Sequence, residues 1–200
     1  DKVVQKAQII REKQTKAASL HIEAVGNWAL YAGHTIETIS HTHPILSGNG
    51  SGVFPLNVSN SIRIYFDLVA GDQKITLAER HLPMTGGYNF RDLGGFRTKE
   101  GRHIKWGKLF RADELSNLTE DDLKYLASIP ITSVIDFRAQ AEARRSPDRL
   151  PPTVHFTYPI AITPGNLSKE GIQANMLKTN IDTHVKHMNR LLVSDPVCVR

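Results

Sequence analysis

Asp136 and Arg138 stand at the end of an uncharged run, residues 131–135 (Ile-Thr-Ser-Val-Ile). A carboxyl group in such a place could hand a proton to a leaving oxygen. A guanidinium beside it could hold a phosphate or carboxylate through paired hydrogen bonds. The plainer reading is a carboxylate that caps the next helix or pairs with Arg138. Arg111 closes a short extended segment, residues 108–111, and could serve the same anion. Arg91 lies in Asn89-Phe90-Arg91-Asp92-Leu93-Gly94-Gly95, a polar knot closed by two glycines that allow a tight turn. Within it, Arg91 and Asp92 predict a local ion pair that stations Gly94 and Gly95. Arg144, Arg145 and Arg149 could draw a polyanion closer, although a solvated helix face is the default for such residues.

Cys198 is the one cysteine. A cysteine that attacks phosphorus needs a thiolate cradled by backbone N–H groups and an arginine closing the loop. Here only Val199 and Arg200 follow, with no glycine and no preceding histidine, so Cys198 is read as non-catalytic. His41 with His43 and His184 with His187 lack a third ligand at metal-binding spacing, and no metal is expected. Asn57-Val58-Ser59 matches the glycosylation sequon, a pattern short enough to recur by chance.

The elements that must position these groups follow from periodicity. Asn117 or Thr119 caps a helix that carries Glu120, Asp121 and Asp122 in its first turn. Residues 131–135 read as a buried strand ending at Asp136, and 154–158 as a second strand beside it. Residues 171–193 read as helical, and Ser194-Asp195-Pro196 as the start of another helix. Helix, buried strand and charged strand end form the pattern of an open α/β sheet, which binds ligands beyond the carboxyl ends of its strands. Ahead of it, residues 1–18 read as an amphipathic helix or linker. Residues 19–83 read as a small all-β sandwich of immunoglobulin or fibronectin type, opening on a hairpin about Gly26-Asn27, with further strands at 35–40, 52–58 and 61–70 and a loop at 47–52.

The formal charge is +5 and the sequence pI about 9.4, which favours anionic partners. No basic recognition element with interleaved aromatics points to nucleic acid. No stretch reaches the ~18 apolar residues of a membrane span. A single cysteine excludes an intrachain disulfide framework. The sequence opens on Asp1 rather than methionine, so an exported or periplasmic protein with its signal removed is one expectation and a cytoplasmic one the other.

Three motifs in order, NFRDLGG, LFRADEL, and VIDFR followed by EARRSPDR, resemble the amino-terminal part of the catalytic domain of atypical bacterial tyrosine/serine (dual-specificity) protein phosphatases. The resemblance covers residues 84–200. It implies an α/β phosphatase-like open sheet, incomplete in this chain because its central strand is expected to be missing. It implies metal- and cofactor-free hydrolysis of phosphomonoesters through a phosphocysteine, on a phosphorylated protein, peptide or phosphoinositide. By the same resemblance Asp136 is a general acid or loop-ordering residue, and Arg138, Arg111 and Arg91 bind substrate. Asn89, Asp92, Gly94 and Gly95 then form a structural motif. The nucleophile's loop, His-Cys-x-x-Gly-Lys-Asp-Arg, does not occur in this chain. The remainder of the catalytic domain is therefore needed in cis or as a second chain, and residues 1–200 alone are expected to be inactive. The competing reading is a non-catalytic binding module, a protein- or carbohydrate-binding sandwich with a structural α/β partner.

Overall fold

The computed structural model describes residues 3–161 and 196–200. They form two compact units: Asp1–Met84 with Arg91–Trp106, and Thr85–Phe90 with Gly107–Arg200. Both are rich in sheet, with two short helices among the described residues. The helical region expected at 171–193 lies outside the described residues.

In the first unit, β1 (Val4–Arg11), β2 (Ala18–Ala24) and β5 (Gly52–Leu56) form one antiparallel sheet. A second is ordered β4-β3-β6-β7, from β3 (Asn27–Gly33), β4 (Leu46–Asn49), β6 (Tyr65–Ala70) and β7 (Gln73–Ala78). Alternate side chains of both sheets, Leu20 and Ile22 from one and Trp28, Leu30, Phe66 and Leu68 from the other, enter a shared core. That is the inward half of the period-two pattern of strands. Gln73 closes β1 against β7. Its side-chain carbonyl accepts from Val4 N at 2.9 Å and its amide donates to Val4 O at 3.0 Å.

Four local expectations for this unit are corrected by the structure. Residues 4–11 are a strand, not part of an amphipathic helix. A register shift between Val4 and Lys6 lets Val4 and Ile9 both turn inward at an odd spacing, which breaks the alternation and imitates a helical period. The segments flanking Gly26 are not a hairpin, because β2 and β3 go to different sheets across a corner at which Gly26 takes φ +91°. Residues 35–40 are turn and bend. The expected loop at 47–52 contains most of β4, where a Cβ at Gly48 would lie 2.4 Å from the Trp28 ring.

The first unit also takes in Arg91–Trp106, including β8 (Arg91–Asp92), which the sequence boundary at 83 assigns elsewhere. The reason is a buried charge. Asp92 binds Arg63 at 2.6 Å with both side chains fully buried, so the ion pair anchoring the knot joins residues 29 apart in sequence, not neighbours. Arg63 also donates to Glu79 O at 2.9 Å, and the Glu79 carboxylate is gripped by Arg11 at 2.7 and 2.9 Å. Asp92 accepts from Gly94 N at 2.8 Å, while Arg80 donates to the carbonyls of Asp92 and Gly94 at 2.7 and 2.6 Å. The Arg80 guanidinium lies 4.1 Å from the Phe96 ring centre and 4.6 Å from that of Trp106. A Cβ on Gly94 would come within 2.5 Å of Trp106, so no larger residue fits there.

In the second unit four parallel strands run in the order β11-β10-β12-β9. They are β9 (Leu109–Arg111), β10 (Ser133–Asp136), β11 (Phe156–Pro159) and β12 (Val197–Val199). Helix α1 (Glu120–Ser128) begins in a reciprocal capping box between Thr119 and Asp122, and α2 (Gln140–Arg145) follows β10. Asp122 also accepts from Thr85 N at 2.8 Å and Gly86 N at 2.7 Å, so one carboxylate fixes both the helix start and the incoming chain. The gap expected at the sheet's centre is filled. Val197–Val199, read from sequence as a helix start, is a strand bonded on both edges, as the buried pair Val197 and Cys198 suits a central parallel strand.

Removing Arg63 strands the Asp92 carboxylate in the interior. Arg63→Ala is expected to lower unfolding free energy by about 3–5 kcal/mol, whereas Arg63→Met with Asp92→Leu, which removes both charges, loses far less. Urea denaturation of the three proteins checks the order. Equal losses for the single and double variants would show that charge burial is not the cause.

Candidate functional site

The strand ends of the second unit collect its charge. Asp136 is the last residue of β10 and buried. The chain turns immediately, and Arg138 folds back over it. Arg138 N donates to Oδ1 at 3.0 Å, Nε to Oδ1 and Oδ2 at 3.1 and 3.2 Å, and Nη2 to Oδ2 at 2.9 Å. Two-point contact of this kind is the strong geometry for arginine and carboxylate. Arg138 also donates through Nη1 to Ser146 O at 2.7 Å and through Nη2 to Asp148 at 3.1 Å. Its guanidinium is thus largely committed to protein acceptors, and its side chain is only 9% exposed.

On the other side of Asp148, Arg200 donates to the same carboxylate oxygen at 2.6 Å. Arg200 directly follows β12. Its N–H donates to Ile135 O at 2.8 Å and its carbonyl accepts from Phe137 N at 3.0 Å, so the ends of β10 and β12 are locked together. Arg111 ends β9 opposite Val199, is exposed, and forms no ion pair with a described residue. One strand, β12, separates β9 from β10, which places the strands carrying Arg111 and Asp136 about 10 Å apart.

Of the residues picked from sequence, the structure brings Asp136 and Arg138 into direct contact and sets Arg111 at the same end of the sheet. Arg91 belongs to the first unit, half-buried in β8. Asp92, Gly94 and Gly95 lie in that unit too, in the knot described above. Asn89 belongs to the second unit and donates to Asp113 at 2.8 Å with φ +51°. Sequence reasoning misses Asp148 and Arg200. Asp148 sits within EARRSPDR among more conspicuous arginines, and Arg200 reads only as the end of too short a run after Cys198.

Burial pushes the Asp136 carboxyl up, but the hydrogen bonds and charge of Arg138, with Arg200 beyond, outweigh it and hold the group below its ordinary 3.8. Asp136 is therefore ionised at neutral pH. For Asp148 burial wins over Arg200 and Arg138, aided by the nearby Asp136 charge, and the carboxyl is raised. Burial, with Asp148 adding to it, pushes the Cys198 thiol up to about 12. A neutral buried thiol is a poor nucleophile. Among the described residues no group of three or more His, Cys, Asp or Glu side chains is placed to hold a metal ion.

A parallel sheet with its carboxylates and guanidiniums gathered at the strand carboxyl ends defines an open α/β class of protein, whose ligands bind in the crevice beyond those ends. The comparisons narrow the class. The model of the tyrosine phosphatase family matches residues 82–195, more than half of the chain, and the chain belongs to that family. A curated relative, the triple specificity protein phosphatase PtpB of Mycobacterium tuberculosis, is 41% identical over 76 residues, 38% of this chain and 25% of the relative. The matched segment thus spans a quarter of that relative's length.

The lowered Asp136 carboxyl contributes stability that is fully present above 3.8 and lost as pH falls through its lower folded value. The raised Asp148 carboxyl acts in the opposite sense, since its ionised form is the disfavoured one in the fold. Substituting Asp136 alone isolates the first effect. The melting temperature of wild type should exceed that of Asp136→Asn clearly at about pH 6 and by much less at about pH 2.5. A difference that does not change with pH would show that Asp136 gains nothing from its ionised partners.

Proposed function

We propose that this chain carries the amino-terminal part of the catalytic domain of a protein-tyrosine phosphatase with dual specificity, which hydrolyses phosphomonoesters through a phosphocysteine. The nucleophile belongs to a His-Cys-x-x-Gly-Lys-Asp-Arg loop outside residues 1–200. Seven antiparallel strands divided three and four around one core support reading the first unit as a small immunoglobulin- or fibronectin-like sandwich. Four parallel strands with α1 and α2 support reading the second as a phosphatase-like α/β sheet. The observation that carries the proposal is the position of β12, a central parallel strand whose carboxyl end lies between Arg111 on one side and Asp136 with Arg138 on the other.

In this reading a thiolate beyond β12 attacks phosphorus, the P–O bond to the leaving group breaks, and the departing alkoxide or phenoxide takes a proton from an acid. Water then attacks the phosphocysteine, releasing inorganic phosphate and regenerating the thiolate. Arg111, exposed and without a carboxylate partner among the described residues, is the guanidinium best placed to meet the phosphate. Asp136, held ionised by Arg138, orders the strand exits and is not itself ready to donate a proton. Arg138 and Arg91 then act through the fold, Arg138 by clamping Asp136. Substrates are phosphorylated proteins or peptides, with phosphotyrosine first and phosphoserine or phosphoinositides beside it. The 76-residue similarity to PtpB, a triple specificity protein phosphatase, supports that breadth.

The full-length protein should hydrolyse p-nitrophenyl phosphate in EDTA and lose activity on thiol alkylation, while residues 1–200 alone show none. Arg111→Ala should raise KM, and Asp136→Asn should lower kcat by about tenfold or more. EDTA-resistant turnover by residues 1–200 would place the nucleophile within this chain and overturn the assignment.

A further inference from the structure

Asp148 bridges the exits of β10 and β12. Its Oδ1 accepts from Arg138 Nη2 at 3.1 Å and from Arg200 Nη1 at 2.6 Å, with side-chain exposures of 9%, 9% and 5% for Asp148, Arg138 and Arg200. Two guanidiniums drawn to one oxygen repel each other, so the shared carboxylate is what holds them together. Counting Asp136, two positive and two negative groups balance. Arg138 lies two residues past the end of β10, and Arg200 lies directly after β12. Asp148 is itself held from both sides. Ser146 O accepts from Arg138, and Arg149 N donates to Leu115 O at 3.0 Å, which ties the segment into the stretch after β9. VIDFR, EARRSPDR and LFRADEL thus meet through this short segment.

We propose that Asp148 is a positioning residue for phosphoryl transfer: its carboxylate bridges Arg138 and Arg200 and so fixes the exits of β10 and β12 relative to each other. The inference rests on the phosphatase reading. Asp148 touches no reacting atom. It acts through Arg138, which orients Asp136, and through Arg200, whose buried side chain sets how the backbone leaves the central strand. Exits held in this way give fixed geometry at the place where small displacements cost most in rate.

The test compares full-length wild type, Asp148→Asn and Asp148→Glu for p-nitrophenyl phosphate hydrolysis in EDTA, thermal unfolding, and hydrogen exchange at the amides of Phe137 and Arg200. Both variants should lose about tenfold or more in kcat with KM changed by less than about threefold. Asp148→Glu, which keeps the charge but moves it, should do so at a near wild-type melting temperature. A folded Asp148→Asn with kcat within about twofold of wild type overturns the proposal. If Asp148→Asn does not unfold cooperatively, Asp148→Glu decides: wild-type kcat and melting temperature together overturn the role, and lowered kcat at a wild-type melting temperature upholds it. An inactive wild type would defeat the phosphatase reading instead, and exchange then reads the bridge directly. Faster exchange at Phe137 and Arg200 with β6 and β7 unaltered upholds the bridge as what fixes the two strand exits, and unchanged protection there overturns it.

Discussion

The backbone hydrogen bonds along both edges of β12 hold the second unit's sheet together. Val197 N donates to Lys108 O at 2.8 Å and Ala112 N to Val199 O at 2.9 Å on one edge. Thr132 N donates to Pro196 O at 3.0 Å and Arg200 N to Ile135 O at 2.8 Å on the other. A strand of three residues can serve because its backbone is paired along both edges, and Val197 and Cys198 are small enough to be buried within the sheet. Cys198 belongs to that packing. Its sulfur replaces a medium-sized apolar side chain, and the same burial that makes it fit makes it unreactive.

Each unit solves the same electrostatic problem in its own way. A charged side chain withdrawn from water needs a partner and filled hydrogen bonds, or it costs several kcal/mol. In the first unit Asp92, Arg63, Glu79 and Arg11 follow one another with alternating sign, Arg63 bonding the Glu79 carbonyl and Arg11 its carboxylate, and hold residues 91–106 against the strands. In the second unit Arg138 and Arg200 alternate with Asp136 and Asp148 at the sheet's carboxyl end. The first network contributes rigidity to a knot of backbone. The second holds Asp136 ionised, so the sheet end carries a fixed Asp136–Arg138 ion pair, with Arg111 exposed and without an ion-pair partner among the described residues.

Near-neighbour chemistry made part of the molecule legible in the sequence. Thr119 and Asp122 cap α1 from three residues apart, Arg138 grips Asp136 from two residues away, and β6 turns into β7 at Gly71-Asp72. In each case the interacting groups lie within one turn of chain, so residue type and spacing determine the outcome. The motifs NFRDLGG, LFRADEL and VIDFR likewise indicated the family without any coordinates.

What the tertiary structure decided involves partners that spacing cannot reveal. Residues 4–11 became a strand because β2 offers an edge and a bulge restores the inward face. Asp92 chose Arg63, 29 residues away, over its chain neighbour, and so moved the 91–106 segment into the first unit. Arg200 found Asp148 across 52 residues, and Thr132 found Pro196 across 64. Val197–Val199 gave no strand signal of its own, since three residues are too few to show a period. It became the centre of the sheet because β9 and β10 each presented an unpaired edge of backbone N–H and C=O groups, which must be satisfied wherever water is excluded.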